Sequence, residues 1–201
     1  MNTIKEIRRG RFLLIAVAVL CFLPFVSAIV VTKFLPEWSP FGTANNGELV
    51  SPIVAVSIEN LVAIDGTVVT EHTLRGKWSI IMFSAGPCST RCLDRLEETG
   101  KMRLLLNKDV NRLQRILVFE SEIDNDIPAA KLLTTNPDLK LMRASSNWRR
   151  RFTVNGEMPE RSERIFLVDP QGYFMMSYTS DIRLQLIHKD LKRLLKASRV
   201  G

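Results

Sequence analysis

Cysteine and histidine are both scarce in this chain, with three and two copies in 201 residues. Three cysteines cannot build the disulfide framework of a small secreted scaffold, and Cys21 lies inside a long apolar run where it cannot reach the other two. Two remaining thiols are half of a tetrahedral zinc set and no second pair follows, which disfavours a structural zinc site. His72 and His188 stand outside any metal-ligand spacing and read as structural or surface residues. Internal repeats, low-complexity segments and any nucleic-acid module are also absent, although the net charge is +7. Two basic concentrations, Trp148-Arg-Arg-Arg151 and Lys189–Arg199, read as solvated faces, with contact to anionic lipid or an acidic partner as the alternative.

Charge is missing altogether from residues 12–31. At about 1.5 Å per residue this stretch spans roughly 30 Å, the thickness of a bilayer core. Lys5, Arg8, Arg9 and Arg11 precede it and only Lys33 and Glu37 follow closely, so the positive-inside bias puts residues 1–11 in the cytoplasm and the rest outside. Val26-Ser-Ala28 fits a signal cleavage site, but Ile29-Val-Val31 continues the run to spanning length, which favours a retained anchor. Residues 32–52, with Pro36, Pro40, Gly47 and Pro52, read as a tether, and residues 53–201 as one domain of ordinary size.

What is present in that domain is a pair of thiols, Cys88 and Cys92, where a short apolar strand over Trp78–Phe83 meets a helix carrying Leu93, Leu96, Gly100 and Leu104 on one face. A spacing of four on the first helical turn puts their alpha carbons roughly 6 Å apart, within disulfide range. The same approach lets two thiolates hold one Cu(I) ion, so disulfide and metal compete for the pair. Helix-end amides and the dipole, with Arg91 and Arg95, favour a thiolate at Cys88, which makes it the nucleophile and Cys92 the resolving thiol. Two buried cysteines serving as small apolar residues are the competing reading; the Gly86-Pro87 turn and the arginines suit an exposed site better.

Along the rest of the domain, Ile53–Ile58 reads as a first strand, and Asp65-Gly66 between Leu61–Ile64 and Val68-Val69 as a hairpin turn. Arg115–Phe119 and Leu139–Met142 read as strands, with a short helix over Ile127–Leu133 stopped by Asn136-Pro137. Arg164–Val168 and Phe174–Tyr178 flank Asp169-Pro-Gln-Gly172 as a second hairpin, and Asp181–Lys196 is an amphipathic helix.

This order is α/β and predicts a thioredoxin-like fold with an extra N-terminal hairpin, preceded by one transmembrane helix. From Leu61 to Lys196 the chain resembles the Sco/SenC family of membrane-anchored, extracytoplasmic copper and thiol proteins that assist cytochrome c oxidase assembly. Asp65-Gly66, Leu74-Arg-Gly-Lys77, the Cys-x-x-x-Cys pair and Phe166-Leu-Val-Asp-Pro-Gln-Gly-Tyr173 occur in the family's order. Two positions depart: Leu93 stands where the family usually has proline, and Arg161 where it has its copper-ligand histidine. The resemblance implies an inner-membrane, periplasm-facing protein that works by disulfide reduction or Cu(I) handover at Cys88 and Cys92, on an oxidase subunit or another thiol or copper protein. With Arg161 in the histidine's place, Cu(I) binding by the two thiols is expected and stable Cu(II) binding is not. Met175 and Met176 offer thioethers, but in a strand one of them must face the core, and core packing is the stronger reading. Two other functions fit the same residues: a non-catalytic scaffold of a respiratory complex, supported by the missing histidine, and a thiol peroxidase, opposed by Ala85 where a threonine is usual.

Overall fold

The computed structural model describes residues 2–34, 45–120 and 129–198, and the chain divides into two units, Met1–Ala44 and Asn45–Gly201. The first unit holds one helix, α1 (Asn2–Phe34), whose stretch Gly10–Val31 is long and apolar enough to cross a membrane. From Gly10 to Val30 its side chains are exposed all round, and Pro24 sits inside it without ending it.

The second unit is built on a seven-stranded sheet of β1 (Glu48–Ala55), β2 (Leu61–Ala63), β3 (Trp78–Ser84), β4 (Leu113–Glu120), β5 (Leu139–Ala144), β6 (Ile165–Val168) and β7 (Tyr173–Tyr178), ordered β1-β7-β6-β3-β4-β5-β2. β3, β4 and β5 run parallel; β6 is antiparallel to β3, and β7 is antiparallel to β6 in the hairpin expected around Asp169–Gly172. Every residue of β3 is buried, because helices cover both faces of the sheet and remove the need for alternation. Trp78, Ile80 and Met82 pack on one face with α3 (Thr90–Leu104), α4 (Ala129–Thr135) and α7 (Leu184–Ala197). Ile81 and Phe83 pack on the other with Leu74 of α2 (Glu71–Leu74), Trp148 of α5 (Ser146–Arg149), Phe152, Phe166 and Phe174. There the rings of Phe152 and Phe174 lie 5.0 Å apart, and those of Phe83 and Phe166 meet edge to face at 5.3 Å. This is the thioredoxin-like arrangement, with β1 and β2 added to it.

The expected hairpin of Leu61–Ile64 with Val68-Val69 does not form, and the two added strands lie on opposite edges of the sheet. β2 pairs with β5, Val68-Val69 forms no strand, and the Asp65 side chain accepts from the backbone and hydroxyl of Thr67 at 3.0 and 2.7 Å. Asp65-Gly66 is thus a local turn leading to α2, and β5 offers Leu61–Ala63 a longer partner than two valines could. β1 begins at Glu48, inside the stretch expected as tether, and its register shifts between Leu49 and Val54, where Pro52 has no N–H for the ladder.

Two more expectations change. On α3 the buried face is Leu96, Thr99 and Met102, while Leu93 and Leu104 are 43% and 67% exposed. Trp148 and Arg149 are buried rather than solvated: Trp148 donates its indole N–H to Ser57 O at 2.7 Å, and Arg149 pairs with Glu120. The expected start of the helix before Asn136 at Ile127-Pro128 lies outside the described residues; its described part ends at Thr135, as Asn136-Pro137 predicts.

Candidate functional site

β3 ends at Ser84, and its hydroxyl donates to Gly86 O at 2.8 Å, turning the chain sharply before Pro87. Cys88 follows, then Ser89, the N-cap of α3, whose side chain accepts from Cys92 N–H at 3.2 Å. Cys88 therefore precedes the cap and Cys92 sits in the first turn, rather than both occupying that turn. The consequence is a closer approach than helix geometry alone allows: the alpha carbons are 5.3 Å apart and Cys88 and Cys92 are joined by a disulfide. Both are half-buried and pack against the core under α3.

The two sulfurs serve different surfaces. Cys92 lines a cleft of about 230 Å³ between the Ser84–Ser89 turn and the segment of α6 (Pro159–Ser162) running into β6. Cys88 lines a groove of about 820 Å³ between α3 and α4, with Leu93, Leu104 and Leu132.

Arg91 and Arg95, expected to add positive charge beside the thiols, both have partners. Arg91 pairs with Glu163 at 2.8 Å. Arg95 donates to the carbonyls of Ser180 and Ile182 ahead of α7, and reaches Glu98 at 3.3 Å. It acts as a strap holding the cysteine end of α3 to the loop before α7. Asp181 lies in that loop; hydrogen bonding from Thr179 holds its carboxyl below the usual range, and Arg95 and Arg91 add to the effect.

Deeper in, Arg115 of β4 is buried and donates to Asp138 at 2.7 and 2.9 Å, to Leu96 O at 2.5 Å and to Thr99 Oγ at 3.2 Å. Gly100 makes room for it, since a β-carbon there would lie 3.2 Å from the guanidinium. The cysteine helix is thus tied to the sheet by a charge as well as by leucines.

Sequence reasoning missed Glu160, Glu163 and Arg164, which line the Cys92 cleft. The signal was faint: Pro159 opening a one-turn helix just before a buried strand. Arg161, expected from the resemblance to stand in the place of a copper-ligand histidine, is exposed and outside the residues lining the cleft. His72 is exposed on α2 and His188 half-buried on α7; neither lines either cavity. Met176 is in the core and Met175 packs against it. Among the described residues no group of three or more His, Cys, Asp or Glu side chains is placed to hold a metal. As a donor set the site offers two sulfurs, which suit Cu(I) once the disulfide is reduced, and lacks the nitrogen ligation that Cu(II) prefers.

Residues 78–198 match the model of a family described as a transmembrane-like, thioredoxin-like, C-terminal domain. Among solved structures the chain is similar to Bradyrhizobium japonicum ScoI with copper bound, at 22% identity and TM-score 0.52 over 66% of this chain and 94% of that one. Yeast Sco1 with copper bound is 20% identical, with TM-score 0.57 over 78% and 96%. BsSco, described as having a disulfide switch and belonging to the Sco family of cytochrome c oxidase assembly proteins, is 17% identical, with TM-score 0.53 over 72% and 96%. At these identities the likeness is one of fold. No curated protein matches the chain.

Proposed function

The chain belongs to the transmembrane-like, thioredoxin-like C-terminal domain family, and from that membership we propose that it is a membrane-anchored thiol-disulfide factor acting through Cys88 and Cys92 in cytochrome c oxidase assembly. The observation that carries this reading is the bond between two half-buried cysteines at the entrance to a strapped helix. The exchange runs as follows. The Cys88 thiolate attacks one sulfur of a client disulfide, forming a mixed disulfide and releasing the client's other sulfur as a thiolate. Cys92 then attacks the Cys88 sulfur, which re-forms the Cys88–Cys92 bond and frees the second client thiolate. Two electrons pass to the client, and an external dithiol reductant restores the pair.

Reduced Cys88 and Cys92 also suit Cu(I) as a cargo to be handed on, and the copper-bound Sco structures of the same fold support this second use. The disulfide and the ion exclude one another, so redox state selects between the two roles. α1 serves as the single-pass anchor, with residues 1–11 cytoplasmic and the domain in the periplasm or equivalent space. A scaffold role without thiol chemistry is favoured by one observation, the exposed Arg161 at the histidine's position.

Deleting the gene in its host and measuring oxidase activity tests the proposal. Loss of activity restored by the wild type but not by Cys88→Ser or Cys92→Ser is expected; restoration by both variants overturns the thiol reading in favour of the scaffold.

A further inference from the structure

Outside the cysteine site, the outer face of α7 is strongly basic. Lys189, Lys192, Arg193 and Lys196 are exposed there at intervals that align them as one stripe over the last turns. The opposite face, Ile187, Leu191 and Leu195, lies in the core, which holds the cations outward. Asp190, the single acidic residue of α7, is buried and turned away: it accepts from the backbone and side-chain N–H groups of Asn46 at 2.7 Å each, and Arg193 approaches it only to 4.0 Å.

Those bonds also locate the entry of the chain. Asn46 and Gly47, which lead into β1, are seated on α7 through Asp190. Residues 35–44, which link α1 to this entry point, extend no more than about 35 Å. A cationic stripe gains from anionic headgroups only within about a Debye length, roughly 10 Å, and tethering supplies the local concentration that makes a weak contact effective.

We propose that the stripe Lys189, Lys192, Arg193 and Lys196 docks the domain on the anionic lipid surface of the bilayer that holds α1. This rests on α1 being a membrane anchor. Docking leaves the thiols free. Arg95, early in α3, bonds to carbonyls before α7, whereas Arg112, after α3, donates to Leu195 O and Ser198 O at the end of α7, at 2.9 and 2.8 Å. The two helices therefore run side by side in one direction, and Cys88–Cys92 lies at the end away from the stripe.

The test uses the full chain in nanodiscs of phosphatidylcholine, with or without phosphatidylglycerol, and amine acetylation read by mass spectrometry. In anionic discs labelling of Lys189, Lys192 and Lys196 is expected to fall roughly threefold or more relative to neutral discs, to recover at high salt, and to leave Lys77 unchanged. Equal labelling in the two lipids overturns the proposal, and protection that arises only in native membranes assigns the stripe to an acidic protein instead. Elution of the chain with the discs reports separately on α1, so failure of the anchor and failure of the dock are distinguishable.

Discussion

Cys88 and Cys92 share one bond yet open on to different sides of α3, Cys88 into the groove beside α4 and Cys92 into the cleft beside α6. In the proposed exchange a client would meet Cys88 on the broader side, while Cys92 is held by its N–H bond to the Ser89 cap. Cys92→Ser is therefore expected to trap a mixed disulfide at Cys88, and Cys88→Ser to trap little at Cys92. Non-reducing gels after exposure to a model disulfide check this, and the reverse pattern assigns the nucleophile to Cys92.

Among the described residues Ser89 is the side chain that caps α3. Ser89→Ala is expected to cost about 1 kcal/mol of stability, and Ser89→Asp to restore most of it. Urea denaturation followed by tryptophan fluorescence provides the comparison.

Asp138 is the carboxylate facing buried Arg115. Asp138→Ala strands that guanidinium with backbone and neutral partners, for an expected loss of about 3 kcal/mol. In the folded chain Arg115 holds the Asp138 carboxyl below the usual range, first through its hydrogen bond, against an opposing effect of burial. A lowered folded pKa contributes stability that is present above the unfolded carboxylate value and lost as pH falls through the folded one. Wild type is thus expected to lose stability on acidification over that window more steeply than Asp138→Asn, as denaturation series at descending pH will show.

Asp190 receives N–H groups from Asn46 and Gly47 and the hydroxyl of Tyr178 at 3.4 Å. Burial, then the Asp190 charge, pushes the Tyr178 phenol well above its ordinary value. Asp190→Ala removes the acceptor common to all of them and is expected to cost about 3 kcal/mol and to expose the 45–47 segment to proteolysis. Unchanged cleavage kinetics would show that the entry is held by other contacts.

The reduced pair is expected to bind Cu(I) only when both Cys88 and Cys92 are present, and to bind Cu(II) weakly. Competition with a chromophoric Cu(I) chelator measures the first, and sulfur-to-copper charge-transfer absorption the second. Arg161→His is expected to strengthen Cu(II) binding by adding a nitrogen ligand. Tight Cu(II) binding by the unaltered chain contradicts this.

The parts of the fold legible in the sequence are those written in short-range pattern. The apolar run of α1, the unbroken β3 strand, the Asp169–Gly172 turn and the thiol pair each carry their signal within a few residues. What escaped depends on distant partners. Leu61–Ala63 looks like half of a hairpin until β5 (Leu139–Ala144), distant in the sequence, pairs with it, and the arginines of Trp148–Arg151 look solvated until Glu120 and Ser57 meet Arg149 and Arg151. In α3 the leucine spacing indicated a buried face, but Arg115 beneath Gly100 and the packing of Leu96, Thr99 and Met102 decided which face that is.

Reversible oxidation of Cys88 and Cys92 in the folded chain is the claim on which the functional account depends. Equilibrating the chain across a series of thiol-disulfide buffers and counting alkylated cysteines by mass spectrometry measures it directly. The account predicts that the two thiols appear and disappear together as a single two-electron step, with Cys21 independent of them. A bond that a dithiol cannot reduce without unfolding the chain, or reduced thiols that do not re-form it, would contradict the account and leave a scaffold.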